Sequence, residues 1–234
     1  MFPLAILAGG LATRLGAVTE KIPKALIEVA GKPFICRQLD HVRRQGITDV
    51  VMCTGHLGEQ IRAVVKDGAA YNLRVRYSPD GPKLLGTGGA LRQALPLLGT
   101  HFFVLYGDAY LPCDFGAIQQ AFTKCDKPAL MTVLRNEDRW DKSNVVYRDG
   151  VVVDYNKRAR HPDMAHIDYG LGILSSSVLA QYQQKEVFDL ADVYYELSIS
   201  NQLAGFEVTE RFYEIGSFRG LKDAEIYFSR GGSD

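Results

Sequence analysis

Apolar residues in the first half of this chain alternate between short unbroken runs and segments with a three-to-four spacing. Leu4–Ala8 is a run of five apolar residues stopped by Gly9-Gly10, the pattern of a strand buried on both faces. Residues 34–45 carry Phe34, Ile35, Leu39 and Val42 at helical spacing and end at Gly46. Residues 50–54 form a second buried run, and 57–66 a second helical one with Leu57, Ile61, Val64 and Val65. Residues 73–77 alternate apolar and polar, as a half-exposed strand does; 89–98 are helical, and 102–106 form a third buried strand ending at Gly107-Asp108. Strands and helices taking turns in this way predict a parallel sheet covered by helices on both faces. In such sheets ligands collect at the carboxyl ends of the strands. Three polar or glycine-rich segments start at those ends, at Gly9, Thr54 and Gly107.

Beyond Pro112 the pattern changes. Residues 115–123 read as a helix, 129–134 as a strand, and 144–155 as two short strands joined by Arg148-Asp149-Gly150, a hairpin turn signal. Residues 167–174 form another strand and 189–202 a helix. No Pro- or Ser-rich linker and no internal repeat interrupts the chain. The expectation is a single domain over residues 1–234, with a nucleotide-binding lobe at about 1–112 and an acceptor lobe at about 113–228.

Charge and cysteine content narrow the function classes. Lys plus Arg and Asp plus Glu are 27 each, so nothing generic draws this chain to nucleic acid or to an acidic membrane surface. Cys36, Cys53, Cys113 and Cys125 lack the close spacing of a zinc knuckle or a C-x-x-C pair, and Cys36 and Cys53 sit in apolar runs as small hydrophobes. The first ten residues have no basic leader, and their apolar run is too short for a signal peptide or a span, so a soluble, cytoplasmic protein is expected.

The most informative segment is Leu7-Ala8-Gly9-Gly10-Leu11-Ala12-Thr13-Arg14-Leu15. Two glycines after a buried strand let the backbone approach a phosphate chain and turn its amides toward it. Arg14 adds a planar, permanently charged fork, and Pro23-Lys24-Ala25-Leu26 a second cation. Taken alone, the glycine pair is equally a strand-exit turn and the cations surface charges. The segment is neither G-x-G-x-x-G nor G-x-x-x-x-G-K-[ST].

With Gly31-Lys32-Pro33-Phe34, Gly86-Thr87-Gly88-Gly89-Ala90 and Gly107-Asp108, these runs resemble, in order and spacing, the motifs of the sugar-1-phosphate nucleotidyltransferases, the nucleotide-sugar pyrophosphorylases. The likeness extends from about residue 4 to about residue 228. It implies the nucleotide-diphospho-sugar transferase fold, a Rossmann-like three-layer α/β/α sandwich with a mostly parallel sheet. The implied reaction is in-line attack of a sugar-phosphate oxygen on the α-phosphorus of a nucleoside triphosphate, releasing pyrophosphate.

Further implications of the resemblance are residue-specific. Leu7, Ala8, Gly9, Gly10, Thr13, Arg14, Lys24, Thr87, Gly88 and Gly89 would contact the nucleotide, with Gly88 and Gly89 near the base. Arg14, Lys24 and Asp108 would be catalytic. Mg²⁺ would be held by Asp108 and by Glu214, which stands in Phe212-Tyr213-Glu214-Ile215-Gly216-Ser217 where the family has an aspartate. Lys157 would bind the sugar phosphate, in a segment where Asn156 and Arg158 replace the usual acid and proline. Asp168, in place of an asparagine, would join Asn144 and Gly170 around the sugar.

Two other classes compete. A non-catalytic nucleotide or sugar-phosphate binder has no need for the carboxylates at 108 and 214, and a nicotinamide-dependent dehydrogenase would carry the missing dinucleotide fingerprint. Within the family the chain looks like small bacterial heptose 1-phosphate guanylyltransferases and N-acetylmuramate 1-phosphate uridylyltransferases, without the β-helix domain of longer relatives. The P-K-x-L and L-G-T-G-G-A-L runs favour D-glycero-D-manno-heptose 1-phosphate with GTP; UTP with N-acetylmuramate or a hexose 1-phosphate is the alternative. A part in capsule or cell-envelope polysaccharide synthesis, and a homodimer, fit the same family.

Overall fold

The computed structural model describes residues 1–10, 16 and 21–232. Thr13 and Arg14 therefore lie outside the described residues. A nine-stranded sheet organises the rest. Its first part is parallel: β1 (Leu4–Ala8) pairs with β4 (Asp49–Thr54) on one side and with β6 (His101–Tyr106) on the other, and β4 pairs in turn with β5 (Arg74–Pro79). Strand alternation decides what each face touches. Leu4, Ile6, Val50, Met52, Phe103 and Leu105 meet α1 (Phe34–Arg44), α2 (Gly58–Val65) and α4 (Phe115–Lys124) in one apolar cluster. Ala5, Val51, Cys53, Phe102 and Val104 face the other way, onto α3 (Gly86–Leu98), α5 (Ser176–Ala180) and α6 (Leu190–Ile199). The runs carry no polar alternation because both faces are covered.

The second part of the sheet is mixed. β11 (His166–Ser175) runs antiparallel to β6 and to β8 (Ala129–Arg135); β12 (Leu203–Val208) returns parallel to β8, and β10 (Val151–Tyr155) and β9 (Val145–Arg148) close that edge. Asp149 and Gly150 both take positive φ, 48° and 80°, as the hairpin signal anticipates. The unbroken parallel pairing stops at β6, because β11 runs antiparallel to it, and the second half mixes both directions as its changed pattern leads one to expect.

Several elements lie outside the expectations. β12 contains Gly205 and gains its order from long-range pairing with β8. β2 (Glu28–Val29) with β3 (Lys32–Pro33), and β7 (Ala109–Tyr110) with β13 (Tyr213–Glu214), are two-residue ladders too short to leave a periodic trace. α7 (Phe218–Ser229) buries Gly220, Ala224 and Phe228 at intervals of four, and Ser217 caps it by accepting from Gly220 N at 2.9 Å. No helix of the described residues is long and apolar enough to cross a membrane.

Candidate functional site

A cleft of about 330 Å³ opens at the carboxyl ends of β1, β4 and β6. This is where the strand order reverses, since β4 and β5 lie to one side of β1 and β6 to the other. Its floor is main chain: Leu7, Ala8, Gly9 and Gly10 leave β1, and Tyr106, Gly107 and Asp108 leave β6. Close backbone approach dictates two of the glycines. A Cβ at Gly9 would stand 2.9 Å from Gly55 N, and one at Gly107 would stand 2.8 Å from Leu7 O, to which Gly107 N donates. Gly10, by contrast, faces open space.

Three charged groups meet beside this floor. Lys24 Nζ donates to Asp108 Oδ2 at 2.9 Å, both side chains being partly exposed, at 21% and 35%. The single 3₁₀ turn Lys24–Leu26 follows Pro23, which presets the extended entry. From α1, Gln38 Nε2 donates to Tyr106 O and Ala109 O at 3.0 and 2.6 Å, pinning the turn that carries Asp108. Glu214 arrives from far along the chain because β13 pairs with β7, placing Glu214 opposite Ala109, and because Ile215 N donates to Asp108 O. A Cβ built on Gly216 would lie 2.9 Å from Glu214 Oε2, 3.2 Å from Asp108 Oδ2 and 3.4 Å from Lys24 Nζ. Two carboxylate oxygens around one point form a hard donor set suited to Mg²⁺, whose remaining ligands are ordinarily waters and phosphate oxygens. No group of three or more His, Cys, Asp or Glu among the described residues could hold a metal unaided.

The extra methylene of Glu214 is used locally. Gly216 N donates to Oε2 and the Ser217 hydroxyl to Oε1. A Cβ on Gly220 would fall 1.8 Å from Oε1, so the carboxylate rests where that glycine leaves room.

At the other end of the cleft the G-T-G-G run opens α3. Thr87 lines the cleft, but its hydroxyl also accepts from Leu190 N at 2.8 Å and donates to Asp189 at 3.4 Å, so it caps α6. Gly88 and Gly89 are buried and do not line the cleft. Side chains there would meet the Phe188 ring at 2.4 Å and Glu186 O at 2.7 Å, so these glycines admit the 186–189 segment of the second half. Among the cleft residues that the sequence did not single out as site residues are Asp80, Tyr106 and Asp189. Asp80 Oδ2 accepts from Leu85 N, while Oδ1 is buried with no partner among the described residues. Burial raises its carboxyl, partly offset by the Leu85 N–H. Cys53 also lines the cleft, and burial pushes its thiol up to about 12, leaving a neutral hydrophobe.

The acceptor-side candidates form a separate network beyond Tyr106. Asn144 Oδ1 accepts from Asp168 N at 2.9 Å, and its main chain joins His166 and Asn156, so Asn144 ties β9, β10 and β11 together. Asp168, with a side chain only 5% exposed, accepts from the Tyr155 hydroxyl at 3.4 Å and from Gly170 N at 3.1 Å, and lies 3.7 Å from Lys157 Nζ. Gly170 takes φ 104°, which a side chain would resist. The Lys157 ammonium lies 5.3 Å from the centre of the Tyr106 ring, and this ring joins the network to the cleft. Burial, then the charge of Asp168, hold the Tyr106 phenol well above its ordinary range. The neighbouring cations are engaged elsewhere: Arg158 with Asp192 at 2.9 Å, and Arg160 with Asp138 at 2.6 Å and Ser143 O at 2.9 Å.

A switch-point cleft floored by glycines, with a lysine and two carboxylates at its mouth, is the arrangement of a nucleotidyl-transferring protein. Residues 4–185 match the model of the MobA-like NTP transferase domain, and the chain belongs to that family. It is 41% identical over 116 residues to N-acetylmuramate alpha-1-phosphate uridylyltransferase of Neisseria meningitidis, an alignment covering 49% of this chain and 50% of that protein. To D-glycero-alpha-D-manno-heptose 1-phosphate guanylyltransferase of Campylobacter jejuni it is 26% identical over 187 residues, 80% of this chain and 82% of that one. Of the Aspergillus fumigatus mannose-1-phosphate guanyltransferase it spans 60%, at 25% identity. The fold is shared with HddC of Yersinia pseudotuberculosis, solved complexed with GMP-PN, at a TM-score of 0.83 and 24% identity over 97% of this chain and all of that one. It is shared too with the inositol-1-phosphate CTP transferase of T. maritima, at a TM-score of 0.82 and 19% identity over 99% and 96% of the two chains. The resemblance drawn from the motifs is borne out by the family, and the fold expectation by these structures.

Proposed function

We propose that this protein transfers a nucleoside monophosphate from an NTP to a sugar 1-phosphate, giving an NDP-sugar and pyrophosphate. The observation that carries this reading is the convergence of Lys24, Asp108 and Glu214 around Gly216, at the mouth of a glycine-floored cleft. Both reactants are anions, so the site must neutralise charge and align an oxygen with phosphorus; no covalent enzyme intermediate is needed. Gly9 and Gly10 bring main chain to the phosphates, and Thr13 and Arg14 are assigned to the nucleotide by their motif alone. Lys24 exchanges its partner Asp108 for phosphate oxygens and stabilises charge as pyrophosphate departs. Mg²⁺, when bound by Asp108 and Glu214 together with phosphate oxygens, would neutralise the α-phosphate and the leaving group. Residues 1–112 act as the nucleotide lobe and residues 113–228 as the acceptor lobe. Lys157 receives the sugar phosphate, while Asn144, Asp168 and Gly170 shape the sugar subsite; Thr87 faces the base end, and Gly88 and Gly89 act there only by making room for the 186–189 segment.

GTP is the proposed donor and D-glycero-D-manno-heptose 1-phosphate the proposed acceptor, for capsule or envelope polysaccharide made from a cytoplasmic nucleotide-sugar pool. The likeness to the Campylobacter guanylyltransferase, which extends over 82% of that protein, supports the base choice. UTP with N-acetylmuramate 1-phosphate stands second, supported by the likeness to the Neisseria relative. Pyrophosphate release with four triphosphates against a panel of sugar 1-phosphates tests the whole reading. Release that does not depend on any sugar 1-phosphate would reject it.

A further inference from the structure

We infer that Ser217, the first residue outside α7, is the positioning residue of the Glu214 carboxylate; this rests on the reading of Glu214 as a metal ligand. A glutamate has one more rotatable bond than an aspartate, so its oxygens need fixing if they are to meet a metal at the same place each time. Ser217 does this with one hydroxyl acting in two directions. Its O–H donates to Glu214 Oε1, while its oxygen accepts from Gly220 N at 2.9 Å. A hydroxyl has the one donor and two acceptor sites this requires, which neither an amine nor a carboxylate supplies. Gly216 N holds the other oxygen, and Gly220 provides the space, since a Cβ there would lie 1.8 Å from Oε1. Oε2 is left facing the point where Asp108 Oδ2 and Lys24 Nζ also converge. The chain from Glu214 to Gly220 is thus a unit in which the start of a helix orients one carboxylate.

The test separates holding Glu214 from capping α7. Ser217→Gly removes the hydroxyl but costs a helix cap only a few tenths of a kcal/mol, Ser217→Ala removes both functions, and Ser217→Thr retains both. Each full-length variant is titrated with Mn²⁺ in the presence of a non-hydrolysable GTP analogue, with free Mn²⁺ followed by electron paramagnetic resonance, and its thermal midpoint is measured alongside. Ser217→Gly is expected to weaken Mn²⁺ binding about tenfold, as loss of an outer-shell partner does, with a midpoint near that of the parent. Ser217→Thr is expected to restore the affinity. Affinity that follows the midpoint alone, falling in Ser217→Ala and unchanged in Ser217→Gly, would overturn the inference and leave Ser217 a helix cap. Glu214→Gln belongs in the same series. A large loss there with none in Ser217→Gly rejects only the part given to Ser217, whereas no loss in Glu214→Gln rejects the metal reading and this inference with it.

Discussion

The two ends of the site are built from different materials. At the end proposed for the triphosphate the walls are main chain: β1 and β6 run out into Gly9, Gly10 and Gly107, and neighbouring loops touch at backbone distance, as Gly9 does with Gly55. At the end proposed for the acceptor the walls are side chains bonded to side chains, with Asp168 joining Lys157, Tyr155 and, through its own amide, Asn144. Where the backbones touch, at Gly9 and Gly107, nothing can be added and little can be tuned. A side-chain wall can be re-specified one residue at a time, which suits the sugar-reading role proposed for that end. Lys24, Asp108 and Glu214 sit at the triphosphate mouth, yet the last of them is delivered by the second half of the chain.

The largest effect should follow from removing charge where the halves meet. Asp108→Asn is expected to lower turnover about a hundredfold at saturating Mg²⁺, equivalent to ~2.7 kcal/mol of transition-state stabilisation, with the fold unchanged by circular dichroism. Turnover within threefold of the parent would remove Asp108 from the metal site.

A methyl added to the backbone wall comes next. Gly107→Ala would set a Cβ 2.8 Å from Leu7 O and 3.2 Å from Ala8, and a cost of about 1–3 kcal/mol is expected from urea unfolding. Asp168→Asn, a comparable change of one group in the side-chain wall, should leave the urea midpoint closer to the parent. The reverse ranking would break the contrast between the two ends.

His41 tests the support behind the backbone wall. Its Nε2 bonds Leu111 O at 2.8 Å, and burial pushes the ring down from 6.5 to about 4. The unfolded chain therefore takes up a proton as pH falls through about 6.5, while the folded chain stays neutral at this ring until about 4. Stability should drop across that window as acid is added, by up to about 1.4 kcal/mol per pH unit from this group. His41→Gln can still donate to Leu111 O and should flatten the slope of unfolding free energy between pH 6.5 and pH 4. An unchanged slope would mean that the ring is not held neutral.

The smallest effects separate three adjacent cations. Lys157→Ala should weaken sugar 1-phosphate binding about tenfold, ~1.4 kcal/mol, and leave triphosphate affinity unchanged by calorimetry without turnover. Arg158→Ala and Arg160→Ala should each change it by less than about twofold, because these side chains already serve Asp192 and Asp138. Equal losses in all three would indicate a diffuse patch.

The same division of materials governs what could be read from the chain. β1, α1, β4 and β6 were legible to within a residue or so, because strands buried on both faces leave unbroken apolar runs and their exits must be glycine. Gly9 and Asp108 could be picked out for that reason. Asp80 and Asp189 could not, since an acid in a loop looks the same whether it faces water or a cleft. For Gly88 and Gly89 the glycine was legible but its cause was not: the Phe188 ring and Glu186 carbonyl that need the space come from about a hundred residues along the chain. Glu214 was found through its motif, whereas its route to Asp108, a two-residue ladder between β7 and β13, has no signature in sequence.

Mass spectrometry of a quenched reaction containing this protein, Mg²⁺, GTP and D-glycero-D-manno-heptose 1-phosphate, with pyrophosphate counted in the same sample, decides whether the proposed transfer takes place. The account expects GDP-heptose and pyrophosphate in equal amounts, with neither formed when the sugar 1-phosphate is left out. Conversion of GTP to GMP with no sugar adduct, or a lack of nucleotide-sugar with every triphosphate and sugar 1-phosphate offered in its place, would contradict it.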